Sequence, residues 1–163
     1  MRSPTNPTAI KFQETLEQLG LNGQVVEFEQ TTRTAADAAA AIGCDVGQIV
    51  KSLIFKTKNS GQPVLVFTSG SNRVSEPLVE SLVQEKLGKA DADFVRTASG
   101  FAIGGVPPFG FPHPQHTYMD ETLLKFATIW AAAGTPNAVF SLTPQELVQH
   151  SGAKLARVDE ESK

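Results

Sequence analysis

The chain has one cysteine, one tryptophan, one tyrosine and three histidines among its 163 residues. A lone Cys44 excludes an internal disulfide framework and any metal site built from thiolates. No apolar run reaches membrane length, and Met1–Thr8 is polar with prolines, so neither an anchor nor an export signal is expected; a reducing cytoplasm fits. Basic excess is also missing. Fourteen Lys and Arg against 17 Asp and Glu leave a net charge of −3, too acidic to hold nucleic acid by bulk electrostatics. Contact with a few phosphates, or recruitment through another protein, remains open. There is no internal repeat and no linker. The Walker lysine spacing and the nucleophile-elbow pattern are absent, and Gly100, Gly104, Gly105 and Gly110 do not fit the pyrophosphate-binding signature.

What is present reads as an ordinary folded domain, 40% hydrophobic and 19% charged. One domain is expected over 1–163, with 1–8 and 159–163 as tails. Asn6-Pro7 opens a first helix carrying Phe12, Leu16 and Leu19, stopped by Gly20. A strand is expected over Gln24–Glu29. Thr34 caps an alanine-rich helix over Ala35–Ile42 that ends at Gly43. Val50–Thr57 and Val64–Thr68 form a hairpin around Asn59-Ser60-Gly61. Ser75 starts a helix that Gly88 ends. Short apolar segments follow at Thr117–Met119, Thr128–Ala132 and Ala138–Leu142. Thr143, with Pro144 and Glu146 behind it, forms a capping box for a helix closing near Gly152, and Lys154–Val158 is a last strand. Short strands without regular βαβ alternation predict an α+β fold: one mixed, barrel-like sheet flanked by helices.

Two features carry chemistry. The loop from Gly100 to Gly110 places Gly104-Gly105 directly before Val106-Pro107-Pro108. Glycine lets backbone N–H groups approach a ligand, and proline fixes the loop's shape, so the loop can present amides to an anionic oxygen. Lys51 shares a strand face with Leu53 and Phe55. A partly desolvated lysine there can bind phosphate, polarise a carbonyl or act as a base; the plainer alternative is a stem that snorkels to solvent. Ser52 points to the other face. Ser69-Gly70-Ser71-Asn72-Arg73 offers amides and one cation, yet is also an ordinary strand-to-helix connection. His113, His116 and Asp120 imitate metal-ligand spacing, but Pro112 and Pro114 prevent the helix that would aim both imidazoles at one ion, so no metal is expected. Cys44, with no histidine near it in sequence, reads as a packing thiol. Trp130 and the ten phenylalanines read as core, and Gly134-Thr135-Pro136-Asn137 as a turn between strands.

Val50-Lys51-Ser52-Leu53-Ile54-Phe55, the Gly100–Gly110 loop with its Gly104-to-Pro108 element, and Tyr118-Met119-Asp120 together resemble the YbaK/ProX family of aminoacyl-tRNA deacylases. That family is related to the editing domain inserted in bacterial prolyl-tRNA synthetases. The resemblance runs from the first helix to Val158 and implies the same barrel-like mixed sheet. It implies hydrolysis, in trans and without a cofactor, of the ester of a wrongly attached small amino acid on tRNA. Alanine on tRNAPro is the first choice; serine, threonine, cysteine and 2-aminobutyrate are the others. It implies mischarged tRNA as partner, with prolyl-tRNA synthetase or an elongation factor as a second. Lys51 would anchor the tRNA 3′ end or the aminoacyl carbonyl, and the amides around Gly104 and Gly105 would stabilise the oxyanion. Val106, Pro107 and Pro108 would measure the side chain, Asp120 would orient the site or brace the sheet, and the terminal ribose 2′-OH would assist. Ser52 and Asn137 stand where relatives vary, some placing a histidine at the latter. The alternative is a non-catalytic module of the same fold that binds tRNA or a synthetase; a metal hydrolase using His113 and His116 is the least favoured reading.

Overall fold

The computed structural model describes residues 1–29, 32 and 34–160. Its helices begin where the sequence supplies a side-chain acceptor. Asn6 accepts from Thr8 N–H to start α1 (Pro7–Gln18), and Thr34 accepts from Asp37 N–H to start α2 (Ala35–Ile42). Ser75 opens α3 (Glu76–Val83) and Asp91 opens α4 (Ala92–Ser99). Thr143 and Glu146 complete the expected capping box of α5 (Pro144–Ser151). Two departures stand out. Helix α3 stops at Gln84, which itself takes the left-handed conformation at φ 59° and donates to the Glu80 carbonyl, so Gly88 lies four residues further on, inside a strand. The segment before Gly100, to which the sequence assigns no element, is the amphipathic helix α4.

The strands are β1 (Val26–Glu27), β2 (Val50–Thr57), β3 (Pro63–Ser69), β4 (Leu87–Gly88), β5 (His116–Asp120), β6 (Ile129–Ala132), β7 (Ala138–Leu142) and β8 (Lys154–Ala156). They form a five-stranded sheet, β4-β2-β3-β5-β8, and a three-stranded one, β1-β7-β6. The larger sheet is mixed: β2 runs antiparallel to β3, while β5 is parallel to both β3 and β8. The α+β class and the mixed sheet agree with the sequence; the barrel-like curl does not become a barrel. Strand β4 meets β2 over only two residue pairs, and β6 is joined to the large sheet by a single isolated bridge, from Trp130 to Ile49 just before β2, so no continuous ladder closes the two sheets among the described residues.

The main core lies between the sheets. Leu65, Phe67 and Met119 from the large sheet meet Ile129, Ala131 and Phe140 from the small one, and Phe12 and Leu16 of α1 complete the packing. A second cluster on the opposite face of β3 joins Val64, Val66 and Tyr118 to Val79 and Val83 of α3. Of the expected tails, residues 1–8 and 159–160 make fixed contacts with the fold, while 161–163 lie outside the described residues. Arg2 bridges Glu27 in the ladder, and the buried Glu27 carboxylate accepts from Thr5 N–H, Thr5 Oγ1 and Asn6 N–H at 2.7 to 2.9 Å. At the other end Asp159 bridges Val74, and Glu160 N–H donates to the Arg73 carbonyl.

Candidate active site

Lys51 pairs with Thr68 across the β2–β3 ladder, which places both on the face that also carries Asp120 at the end of β5. Its Nζ donates to the Asn72 carbonyl at 2.8 Å, which uses one of three ammonium protons. Burial is the largest influence on Lys51 and lowers its pKa from the ordinary lysine value; the nearby Arg73 charge lowers it further, and Asp120 opposes both. Among the described residues no ion pair within 4 Å joins Lys51 to a carboxylate.

Asp120 is fully buried. Its Oδ2 accepts from Thr68 Oγ1 (3.1 Å), Ser69 N–H (3.1 Å) and Asn72 Nδ2 (2.9 Å), and its Oδ1 accepts from Thr122 N–H (2.9 Å). Burial pushes this carboxyl's pKa up, but donors from Asn72, Thr122 and Ser69 outweigh it and hold the group below the usual aspartate value. Of the two roles expected for Asp120, bracing is direct: it ties β3, β5 and the 3-10 helix Glu121–Lys125 together. Orientation runs through Asn72, whose side chain binds Asp120 while its carbonyl holds Lys51. Sequence reasoning weighed Asn72 only as part of a phosphate-binding or connecting loop.

A cavity of about 800 Å³ opens beside Lys51. Residues 50–55 of β2 all line it, from both faces of the strand, so the strand meets the cavity edge-on. The register explains this. Thr57 N–H donates to Gln62 and Gly70 N–H to the Ile49 carbonyl, so odd-numbered residues of β2 bond toward β3. Ser52 and Ile54 therefore turn their N–H and C=O groups to the other edge. Between Ile49, which meets Trp130, and Lys56, which meets Gly88, no strand covers that edge among the described residues. Ser52 is half-exposed although its Oγ is buried without a partner, so what it shows to the cavity is not its hydroxyl.

The glycine-proline loop closes another side. Gly105 N–H donates to the Ala102 carbonyl at 3.0 Å, and Gly104 at the third position has φ +87°, the geometry of a type II turn. The two glycines are needed for different reasons. Gly104 supplies the positive φ, whereas a Cβ on Gly105 would lie 2.8 Å from Thr135 Cα. The turn consumes the Gly105 amide. Gly104 lines the cavity and its N–H makes no hydrogen bond with the described residues. Val106 also lines it, but Pro107 and Pro108 are buried behind, with the Pro108 carbonyl 2.6 Å from His113 Nε2. Asn137 stands apart as well: its Nδ2 donates to the Phe28 carbonyl, and it borders a smaller hollow of about 480 Å³, while its neighbour Pro136 faces the main one. Cys44 is partly buried, and burial with the Asp45 charge raises its thiol pKa, which keeps it protonated.

A model of the aminoacyl-tRNA editing domain matches residues 29–150. The chain belongs to the aminoacyl-tRNA editing domain family. Among its relatives in the family, the uncharacterized protein YwhH of Bacillus subtilis (strain 168) is 33% identical over 131 residues, covering 80% of this chain and 83% of that protein. A crystal structure provisionally described as a trans-editing enzyme for prolyl tRNA synthetase is 44% identical, with a TM-score of 0.89 over 97% of this chain and all of the other. The hypothetical protein APE2540 superposes with a TM-score of 0.79 at 30% identity, over 93% of this chain and 99% of that one. The match of this editing domain to the trans-editing structure fixes the fold, and its 29–150 span contains every residue described above around the cavity.

Proposed function

We propose that this editing domain hydrolyses, in trans, the ester linking a wrongly attached small amino acid to tRNA, with alanine on tRNAPro the first candidate. One observation carries the reading. Among the described residues, a half-buried ammonium, a glycine amide without a hydrogen bond and an uncovered strand edge converge on one cavity lined by no carboxylate, imidazole or thiol. With Lys51 held as an ammonium by the Asn72 carbonyl, such a site stabilises charge and positions a substrate rather than supplying a side-chain base. An aminoacyl ester suits it, because the vicinal ribose hydroxyl of the substrate can take the base's place.

In this reading Lys51 holds the 3′-terminal nucleotide or the ester carbonyl. Water, oriented by the ribose 2′-OH, attacks the carbonyl carbon and passes a proton through that hydroxyl toward the 3′-oxygen, yielding a tetrahedral oxyanion. Gly104 N–H donates to that oxygen; a preorganised donor of this kind is worth about 3 kcal/mol of barrier. The intermediate collapses with cleavage of the bond to the 3′-oxygen, which takes up a proton and leaves as the free tRNA end. Backbone groups of Ser52 and Ile54 bind the aminoacyl portion, and Val106 bounds its side chain. The need for such an enzyme is energetic: one missing methylene changes binding by only about 1–3 kcal/mol, so a synthetase pocket cannot strongly reject a smaller amino acid. A second site that admits the small error restores accuracy.

The test uses tRNAPro charged separately with alanine, serine, cysteine and proline, with and without a chelator. Loss of the small non-cognate esters, sparing of the prolyl ester and indifference to chelator are expected. Survival of every ester would overturn the deacylase reading in favour of a binding module. Loss abolished by the chelator would overturn the metal-free mechanism.

A further inference from the structure

The mechanism above leaves one wall of the cavity unused. Trp130, read from the sequence as core, is only partly buried: it packs against the cluster that contains Ile49, Ala38 and Val139 and also lines the cavity. Around it the walls are unusually bare. Ala35, Ala36 and Ala38 of α2 and Ala132 of β6 line the same space, so no side chain larger than a methyl from these positions fills it. A cavity of about 800 Å³ is also far larger than a small amino acid needs; pockets of about 300–1,000 Å³ hold whole drug-sized ligands.

The ladder fixes where the indole stands relative to Lys51. Trp130 bridges Ile49 in parallel, and bridged partners project to the same face. Ile49 and Lys51 are two residues apart and share that face too. Two residues along one strand and one strand across give a Cα separation of about 8 Å between Trp130 and Lys51. Arg73 does not line the cavity, but it is exposed and follows Asn72, whose carbonyl holds the Lys51 ammonium at 2.8 Å, so it adds a second cation beside Lys51 at the cavity's margin. One end of the cavity is thus aromatic and flat, and the other is cationic. A nucleotide has the complementary form, a planar base joined to an anion. The net charge of −3 strengthens the argument, because a chain that cannot hold nucleic acid by bulk charge needs affinity of another kind. Base stacking on an aromatic ring supplies it independently of salt-sensitive attraction.

We propose that Trp130 is the stacking seat for the purine base of the nucleotide that carries the ester, the terminal adenosine of the acceptor strand, with Lys51 and Arg73 meeting its ribose-phosphate side. This rests on the deacylase reading for the identity of the nucleotide. The seat itself is a nucleotide subsite and is tested without turnover.

Trp130 is the only tryptophan, so its fluorescence reports on the seat alone. Titration of the full-length protein with AMP, adenosine, CMP and ribose 5-phosphate should give saturable quenching with AMP and adenosine, weaker quenching with CMP and none with ribose 5-phosphate. The trinucleotide CCA should quench at lower concentration than AMP. No saturable response to AMP or CCA at millimolar concentration would overturn the proposal, as would an equal response to ribose 5-phosphate. Trp130→Ala should raise KM for mischarged tRNA roughly 5- to 150-fold, the worth of one stacked base, with kcat little changed. Trp130→Phe, which keeps a ring, should recover most of that loss. An unchanged KM in a folded Trp130→Ala protein would overturn the seat even if the wild type deacylates. Quenching by AMP in a protein that cleaves no ester would instead retain the seat and remove the deacylase reading.

Discussion

Lys51 and Asp120 are joined without touching: Asn72 gives its carbonyl to the lysine at 2.8 Å and its side-chain amide to the aspartate at 2.9 Å. A fully buried carboxylate therefore sets the position of a half-buried ammonium through one intermediate residue. The arrangement keeps a negative charge near enough to support the cation, yet leaves two ammonium protons for a substrate.

The first prediction follows from that cation. Lys51→Ala should lower kcat/KM for the mischarged ester about 10- to 100-fold, the worth of a hydrogen bond from a charged donor, while the circular dichroism spectrum and melting temperature stay near wild type. Because burial and Arg73 depress the Lys51 pKa, the ammonium is lost at a pH below that of an ordinary lysine. The enzymatic rate, corrected for spontaneous ester hydrolysis, should therefore fall on the alkaline side. Arg73→Gln should move that fall to higher pH and Asp120→Asn to lower pH. A wild-type rate in Lys51→Ala would remove the residue from the mechanism.

Acid should unfold the protein through two carboxylates. Asp120 and Glu27 both have folded pKa values below their ordinary ones. For Glu27, burial acts upward and is outweighed by the donors on Asn6 and Thr5 and by the Arg2 charge. A depressed carboxyl pKa contributes stability that is complete above the unfolded value, about pH 4, and is lost as pH falls through the folded pKa. Urea midpoints should hold from neutral pH to about 5 and drop below 4. Asp120→Asn should cost about 2–4 kcal/mol at neutral pH, because its amide would face existing donors, and should flatten the acid limb.

The paired glycines should respond differently to alanine. Gly104→Ala meets only ordinary contacts with Pro136 and should cost about 1 kcal/mol for its positive φ. Gly105→Ala drives a Cβ to 2.8 Å from Thr135 Cα and 2.9 Å from its carbonyl carbon, neither of which can give way without moving the 134–137 turn. A cost of about 1–3 kcal/mol, with a larger loss of activity than in Gly104→Ala, is expected from chemical denaturation and deacylation assays. Equal effects would show that the turn yields freely.

Ser52→Ala should leave the fold as stable or raise its stability by up to about 1 kcal/mol, since the Oγ it removes is buried without a partner. A drop of more than that in thermal or urea denaturation would show that the hydroxyl has a partner in solution.

The sequence announced most of the scaffold because its signals are local. Thr34 with Gly43, and Thr143 with Pro144, Glu146 and Gly152, define helix ends through contacts within a few residues, and both helices fall where expected. The hairpin of β2 and β3 was equally plain. Non-local matters were not. Nothing near Gly88 signals that Gln84 will take the left-handed turn first. Whether short strands close into a barrel depends on pairings such as Ile49–Trp130, which link residues 81 positions apart and leave no periodic trace. The site divided in the same way. Lys51 and Gly104 were visible from residue type and context, whereas the turn bond that occupies the Gly105 amide and the burial of Pro107 and Pro108 required coordinates. Asn72 and Glu27 act through partners at least 21 positions away. A capping signal for α4 was there to find: Asp91 before the helix and Gly100 after it.

The uncovered edge of β2 has a consequence for the protein outside catalysis. Unpaired strand edges on a protein's exterior invite pairing with another molecule's strands, and chains commonly protect them with charge, proline or a covering loop. Here the edge lies inside a recess walled by α2, Trp130 and the Ile103–Gly104 turn rather than on the protein's exterior. The recess thus lets the chain keep backbone groups available for chemistry while hiding them from self-association. Widening it to accept bulkier esters would erode that protection, so selection for a broader substrate range should be met by a growing tendency to aggregate.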